Sequence, residues 1–276
     1  MDLIFTEECL RYKAKGHPES PERIKAAYEF LFDKFNILTP ELANEKDLLL
    51  VHDARLVKII KSGKFYDINS PNYENLYYYA ALSAGGAIKA QEVQGFSLMR
   101  PPGHHAGKNF LGGFCYFNNL AVAVKKSGLK TLIVDIDAHH GNGTEDIFYG
   151  DKQVVFISLH HAGIFPGSGN YSLLNILNFP LARRCGDKTY IKTLAEALDY
   201  VSDENFEQLA ISAGFDGHER DPLASLGLTT SAYEKIGSML TRLNLPTFAV
   251  LEGGYAVNDL KHNILAFIRG FKSGKI

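Results

Sequence analysis

Cysteine is scarce in this chain: Cys9, Cys115 and Cys185 lie scattered through 276 residues. Three thiols so spaced suggest neither a disulfide framework nor a thiolate metal site, and a reducing cytoplasm is the expected compartment. Charge of one sign is also missing. With 29 basic and 31 acidic residues the net charge is -2, which gives no electrostatic case for nucleic acid or an anionic membrane. No apolar run reaches the roughly 18 residues that a spanning helix needs. Asp2, Glu7 and Glu8 stand where a secretory signal would be basic and then apolar. No internal repeat, low-complexity tract or obvious linker interrupts the sequence. The rest is ordinary globular composition, 46% hydrophobic and 22% charged, with apolar mass for one core. One domain over residues 1–276 is expected.

The chain is organised around Thr131 to Asp146, TLIVDIDAHHGNGTED. Leu132, Ile133 and Val134 suit a buried parallel strand. Asp135, Asp137, His139 and His140 follow, and then Gly141 and Gly143 make a turn. Thr144 is the expected N-cap of a helix opening with Glu145 and Asp146. Two acids and two histidines at such a tip are expensive to desolvate. Asp-x-Asp-x-His sets carboxylate and imidazole where one metal can bind both.

Taken in order, a short strand is expected over Leu3 to Thr6. A turn-rich KGHPESPER segment follows, with Ser20 and Pro21 opening a helix. Further helices are expected at Ala54 to Ser62, Leu76 to Gln91, Leu120 to Lys126, Tyr190 to Val201 and Ala232 to Leu243. The small residues Ala80, Ala81, Ala84, Gly85, Gly86 and Ala87 permit close packing of the second of these. Strands are expected at Phe96 to Met99, Val154 to Leu159, Gln208 to Ser212 and Thr247 to Leu251, and a loop at Gly163 to Asn178. Alternating strands and helices predict an α/β fold, a mostly parallel sheet with helices on both faces.

Five strands run into polar or glycine tips: Met99 into RPPGHHAG, Val134 into DIDAHHGNG, Leu159 into HHAG, Ser212 into AGFDGHERDP and Leu251 into EGGY. In a parallel sheet these tips converge on one edge, where open α/β folds bind ligands. Alone, each tip has an ordinary reading. Adjacent histidines can be solvated, Asp216 can cap a turn, Tyr255 can pack, and His160 and His161 suit support of their loop better than metal binding. Together they form a hydrolytic set. Asp137, His139 and Asp216 offer three metal ligands and leave a fourth position open. His104 and His105 offer proton transfer, and Tyr255 a donor for a developing oxyanion.

With HPESPER, RPPGHHA, GGFCYFNN, VDIDAHHGNGTED, FPGSG, GFDGHERDPL and LEGGY in order, the chain resembles the zinc-dependent histone deacetylase family. In the broad sense this family includes prokaryotic deacetylases, acetoin-utilisation proteins and acetylpolyamine amidohydrolases. HGNG and LEGGY resemble its class II-like branch. The resemblance implies the three-layer α/β/α arginase–deacetylase fold around an eight-stranded parallel sheet. It implies zinc on Asp137, His139 and Asp216, although ferrous iron could also occupy so Asp-rich a set. His105 would be general base and then acid, His104 would pair with Asp135, and His105 with Asn142. Phe114 and Phe165 would flank a tunnel for an acyl-lysine-like arm, with Leu223 at its rim and Gly113 and Gly253 near its walls. Asp67 or Asn69 would grip substrate backbone. Asp135, Asp137, His139, Ser158 and Leu159 match a structural monovalent-cation site, usually potassium.

The implied reaction is removal of acetyl or longer acyl groups from lysine side chains of proteins or peptides. Acetylpolyamines or other small amides are the alternative substrates. Two rivals need separate tests. An arginase-like binuclear hydrolase would want carboxylates where Gly141 and His218 stand. A non-catalytic acyl-lysine reader would have lost a ligand, a dyad histidine or Tyr255, and all are present. Loops are short for the family, and Tyr171 to Phe179 matches its pattern poorly, which puts a second monovalent site near Phe148 in doubt. Short loops predict an open pocket.

Overall fold

The computed structural model describes residues 1–273. In chain order the elements are β1 (Leu3–Ile4), α1 (Pro21–Leu31), β2 (Ile37–Leu38), α2 (Glu45–Leu48), α3 (Ala54–Ser62), α4 (Leu76–Val93), β3 (Phe96–Ser97), α5 (Asn119–Ser127) and β4 (Thr131–Asp135). There follow α6 (Asn142–Phe148), β5 (Val154–His161), β6 (Ile176–Leu181), α7 (Gly186–Tyr200), β7 (Gln208–Ala213), α8 (Thr230–Thr241), β8 (Thr247–Leu251) and α9 (Val257–Ser273). A short 3-10 turn covers Glu7–Leu10.

The strands form one eight-stranded sheet in the order β2-β1-β3-β8-β7-β4-β5-β6. Every pairing is parallel, so all strand ends that carry chemistry share one edge. Alternation along β4 shows the layering. Leu132 and Val134 pack with Ile24 of α1, Leu194 of α7, Ile236 of α8 and Ile264 of α9. Ile133 packs on the other face with Val57 of α3, Ala84 of α4, Val124 of α5 and Ile147 of α6. Period-two side chains thus feed two apolar layers, and the molecule is a three-layer α/β/α fold.

The small residues of α4 have steric work to do. A Cβ on Gly85 would meet the Glu41 carbonyl at 1.8 Å, and one on Gly86 would meet Met99 Cγ at 2.5 Å. Pro21 is the first residue of α1 as expected, but Ser20 makes no side-chain cap bond.

Several features differ from the sequence expectations, the two-residue β2 among them. β6 begins within the expected Gly163–Asn178 loop and runs past its end, because Phe156 to His161 supply a partner strand for Ile176 to Leu181. α6 starts at Asn142, so Thr144 is not its cap. The Gly143 and Thr144 N–H groups donate to the His104 carbonyl at 3.0 and 3.1 Å, and Thr144 Oγ1 accepts from Asn118 Nδ2. The dyad loop therefore satisfies the helix end that a cap would otherwise serve. α2 is too short to have a readable period. α9 has one, since Leu260, Ile264, Phe267, Ile268 and Phe271 are buried at helical spacing. No helix among the described residues is long and apolar enough to cross a membrane.

Candidate active site

The polar tips of β3, β4, β7 and β8 meet around one cleft. Asp137 and His139 follow β4, Asp216 follows β7, and one ligand atom from each lies within 4.8 Å of the others. His139 Nδ1 is 3.1 Å from Asp137 Oδ1 and 2.7 Å from Asp216 Oδ2. Backbone N–H groups fix both carboxylates: Gly253 N–H donates to Asp137 Oδ2 at 2.8 Å, and Ala138 N–H to Asp216 Oδ1 at 2.7 Å. Asp216 Oδ2 is buried with no hydrogen-bond donor in suitable geometry. A buried carboxylate oxygen that meets an imidazole nitrogen out of line for a hydrogen bond, with a second carboxylate beside it, is a poor arrangement without a cation and a good one with it. The residues present fit a metal ion. Burial, reinforced by the charge of Asp137, pushes the Asp216 carboxyl up to about 7. Burial works the same way on Asp137, but His104 and His139 outweigh it and hold its carboxyl below the usual range.

Glycine makes room here. A Cβ on Gly253 would lie 2.5 Å from Asp137 Oδ2 and 2.8 Å from Asp216 Oδ2. Gly141 is equally confined, since its Cβ would meet Asp135 Oδ2 at 2.2 Å. His218 Nδ1 accepts from the Arg220 N–H. Neither position offers the carboxylate that a second metal of the arginase kind would want.

The dyad is differentiated. His104 Nδ1–H donates to Asp135 Oδ2 at 2.9 Å, and His105 Nδ1–H to the Asn142 amide oxygen at 2.7 Å. The rings are 4.0 Å apart. Burial opposes charge on His104, but Asp135, Asp137 and Glu252 prevail and raise its pKa to about 10. Burial lowers His105 well below the ordinary value, and the positive His104 and His139 push the same way. At neutral pH His104 is charged and His105 is neutral, with Nε2 left as an acceptor. Glu252 anchors the pair's backbone: its Oε2 accepts from the Gly103 and His104 N–H groups at 2.7 and 3.1 Å. Burial pushes its carboxyl up to about 7.

Above the ligands lies a cavity of about 220 Å³ lined by Asn69, His105, Gly113, Phe114, His139, Phe165, Leu223 and Tyr255. It is smaller than the roughly 300–1,000 Å³ of drug-sized pockets, which suits a single linear arm. The Phe165 ring stands edge-on to His105 at 5.0 Å, and Phe114 edge-on to Tyr255 at 5.8 Å. Phe114 has φ +71°, a strained conformation for a bulky residue, and its N–H is held by Ser70 Oγ at 3.1 Å. Of the two rim candidates, Asn69 lines the cavity, whereas Asp67 Oδ1 accepts from the Asn69 and Ser70 N–H groups and turns the loop. Burial raises Tyr255 well above the ordinary phenol value despite the nearby Arg23, so it stays a donor.

Sequence reading gave no part to Arg23, the last residue of HPESPER. Its side chain is buried, donates to the Gly254 and Glu252 carbonyls at 2.6 and 2.7 Å, and lies 4.7 Å from the Tyr255 ring centroid. A charged residue inside an otherwise amphipathic helix was the available signal. Ser158 and Leu159 lie buried on β5, with Ser158 in register with Asp135. Ser158 Oγ bonds His160 Nδ1 at 2.9 Å, and His160 Nε2 bonds the Gly169 carbonyl at 3.0 Å, which ties down the loop bearing Phe165.

A parallel α/β sheet with a candidate metal site and a histidine pair at its carboxyl edge fits a hydrolytic class of enzyme. Residues 17–271 match the histone deacetylase domain, and the chain belongs to that family. A probable deacetylase of Archaeoglobus fulgidus is 35% identical over 309 residues, covering 98% of this chain and 86% of that one. Acetylpolyamine amidohydrolase 1 of Pseudomonas aeruginosa is 34% identical over 75% of this chain and 66% of its own length. The crystal structure of the HDA15 HD domain superposes with TM-score 0.90 at 30% identity, covering 99% of this chain and 91% of that one. The chain is a hydrolase of deacetylase type.

Proposed function

We propose that residues 1–276 form one catalytic domain that removes acetyl, and also longer acyl, groups from lysine side chains of proteins or peptides in the cytoplasm. The observation that carries the reading is Asp216 Oδ2, buried and without a hydrogen-bond donor beside His139 Nδ1 and Asp137. Asp137, His139 and Asp216 would hold zinc, or ferrous iron, with one position open. A bound ion supplies Lewis acidity, polarising the acyl carbonyl and acidifying water.

The protein's own groups do the rest. Neutral His105 takes the proton of the attacking water at Nε2, while Asn142 fixes its tautomer. Charged His104, held by Asp135, adds positive potential beside the developing negative charge. Tyr255 O–H donates to the oxygen of the tetrahedral adduct. His105 then returns the proton to the leaving amine, and acetate departs. Phe114, Phe165, Gly113 and Gly253 shape the arm's channel, Leu223 stands at its rim, and Asn69 is the better placed group to receive substrate backbone. Asp135, Asp137, His139, Ser158 and Leu159 would enclose a structural potassium ion. It would offset the charge of Asp135, whose carboxyl burial raises.

Acetylpolyamine hydrolysis is the second reading, since relatives carry that name. The cavity lining includes no carboxylate beyond the ligand set, and Tyr66 and Ile68 are exposed beside Asp67. A polycationic tail meets little there to favour it, which supports the peptide. The test is metal content with turnover of acetyl-lysine peptides, acetylpolyamines and arginine side by side. About one transition metal per chain and acetate release from peptides are expected, and Asp137→Ala or Asp216→Ala loses both. Two tightly bound metals with urea release from arginine overturn the reading. Metal binding without any turnover leaves the non-catalytic reader.

A further inference from the structure

Asp221 lies five residues beyond Asp216 and is itself no ligand. It is 8% exposed, and two separate loops converge on its carboxylate. Oδ1 accepts the N–H groups of Leu223 and Ala224 at 2.9 and 3.2 Å. Oδ2 accepts those of Tyr255 and Ala256 at 2.7 and 3.2 Å. One oxygen thus holds the loop of Leu223, which lines the mouth of the cavity, and the other holds the backbone of Tyr255 itself. Charge-assisted bonds of this kind are about twice as strong as neutral ones. A carboxylate is acceptor-only on both oxygens, so no other side chain of its size can serve all four donors.

The placement matters because Arg23 and Phe114 pack the Tyr255 ring, while Asp221 holds its backbone N–H. The two residues before it are glycines, and Gly254 adopts φ +124°, a conformation open to few other residues. A tyrosine on so permissive a backbone needs an external anchor to keep its hydroxyl within the few tenths of an ångström that oxyanion donation demands. Arg23 holds the carbonyl side of this turn through Glu252 and Gly254. Asp221 holds the N–H side.

We infer that Asp221 is a positioning residue that orients Tyr255 for oxyanion donation and locks it to the cavity mouth, so that its contribution to rate passes through the Tyr255 hydroxyl. The inference rests on the reading of Tyr255 as oxyanion donor. The experiment is a double-mutant cycle on the metal-loaded full chain: wild type, Asp221→Asn, Tyr255→Phe and the double variant. kcat on one acetyl-lysine peptide, metal content and Tm are measured for all four. Asp221→Asn keeps the side chain's shape but turns an NH₂ group toward two N–H donors. Tyr255→Phe is expected to lower kcat about a hundredfold or more. Asp221→Asn should lower it at least tenfold with metal retained, yet less than twofold in the Tyr255→Phe background. Equal losses in both backgrounds, or loss of metal with Asp221→Asn, overturn the inference and leave Tyr255 its role. A wild-type rate for Tyr255→Phe overturns the parent reading and this one with it. If Asp221→Asn does not fold, Asp221→Glu serves in the same cycle, since it keeps the charge and displaces the oxygens by one methylene.

Discussion

Asn142 shows how much chemistry one side chain sets. Its amide oxygen accepts from His105 Nδ1 at 2.7 Å, which fixes the tautomer without adding charge. Burial and the charged His104 already hold His105 well below its ordinary pKa. As the base it must be neutral in the free enzyme, so its titration forms the acidic limb of kcat/KM. Asn142→Asp places a negative charge beside the ring, favours imidazolium and raises that pKa. Protonation then persists to higher pH, and protonated His105 cannot accept a proton. The acidic limb is expected to move to higher pH with metal content unchanged, as a pH–rate series on both proteins would record. An unmoved limb, or one at lower pH, means that His105 is not the base or that Asn142 does not act on it.

Among elements, α8 and α9 cross in close backbone contact. A Cβ on Gly237 of α8 would lie 2.3 Å from the Phe267 carbonyl oxygen and 3.3 Å from Gly270 Cα of α9. Backbone cannot step aside as a side chain can. Gly237→Ala gains about 1 kcal/mol of helix propensity but overpacks this crossing, a change that typically loses about 1–3 kcal/mol. Net destabilisation of up to about 2 kcal/mol is expected from urea unfolding, with kcat of the folded protein preserved because the site lies at the carboxyl edge of the sheet. Stabilisation would show that the helices separate freely. The same steric logic explains α4, whose small residues read correctly in sequence as a packing surface.

Over the whole molecule, the sheet gathers four buried carboxylates, Asp135, Asp137, Asp216 and Glu252, around one cleft. Such a cluster opposes folding unless cations or protons offset it. Metal that binds only the folded state stabilises by mass action. Zinc added to chelator-treated protein at a hundredfold excess over Kd is therefore expected to add about 2.7 kcal/mol and raise Tm by roughly 5–10 °C. Asp216→Ala should abolish that rise, since it removes a ligand. A wild-type Tm indifferent to zinc counts against a resident metal.

The sequence by itself determined the layered α/β class and the polar strand tips, because strand and helix periods and turn residues are properties of short segments; that Asp216 comes beside Asp137 and His139 is a matter of tertiary structure. It also bounded Ala54–Ser62 and Thr247–Leu251 as they stand. β6 was hidden, since Ile176 to Leu181 becomes a strand only against β5. The start of α6 was hidden too, because the Gly143 and Thr144 N–H groups are served by the His104 carbonyl, 39 and 40 residues away along the chain. Which rim residue faces the cavity, what Arg23 and Glu252 hold, and where Asp221 sends its two oxygens were decided by tertiary structure alone. These are bonds between residues far apart in sequence, and only folding brings their partners within reach.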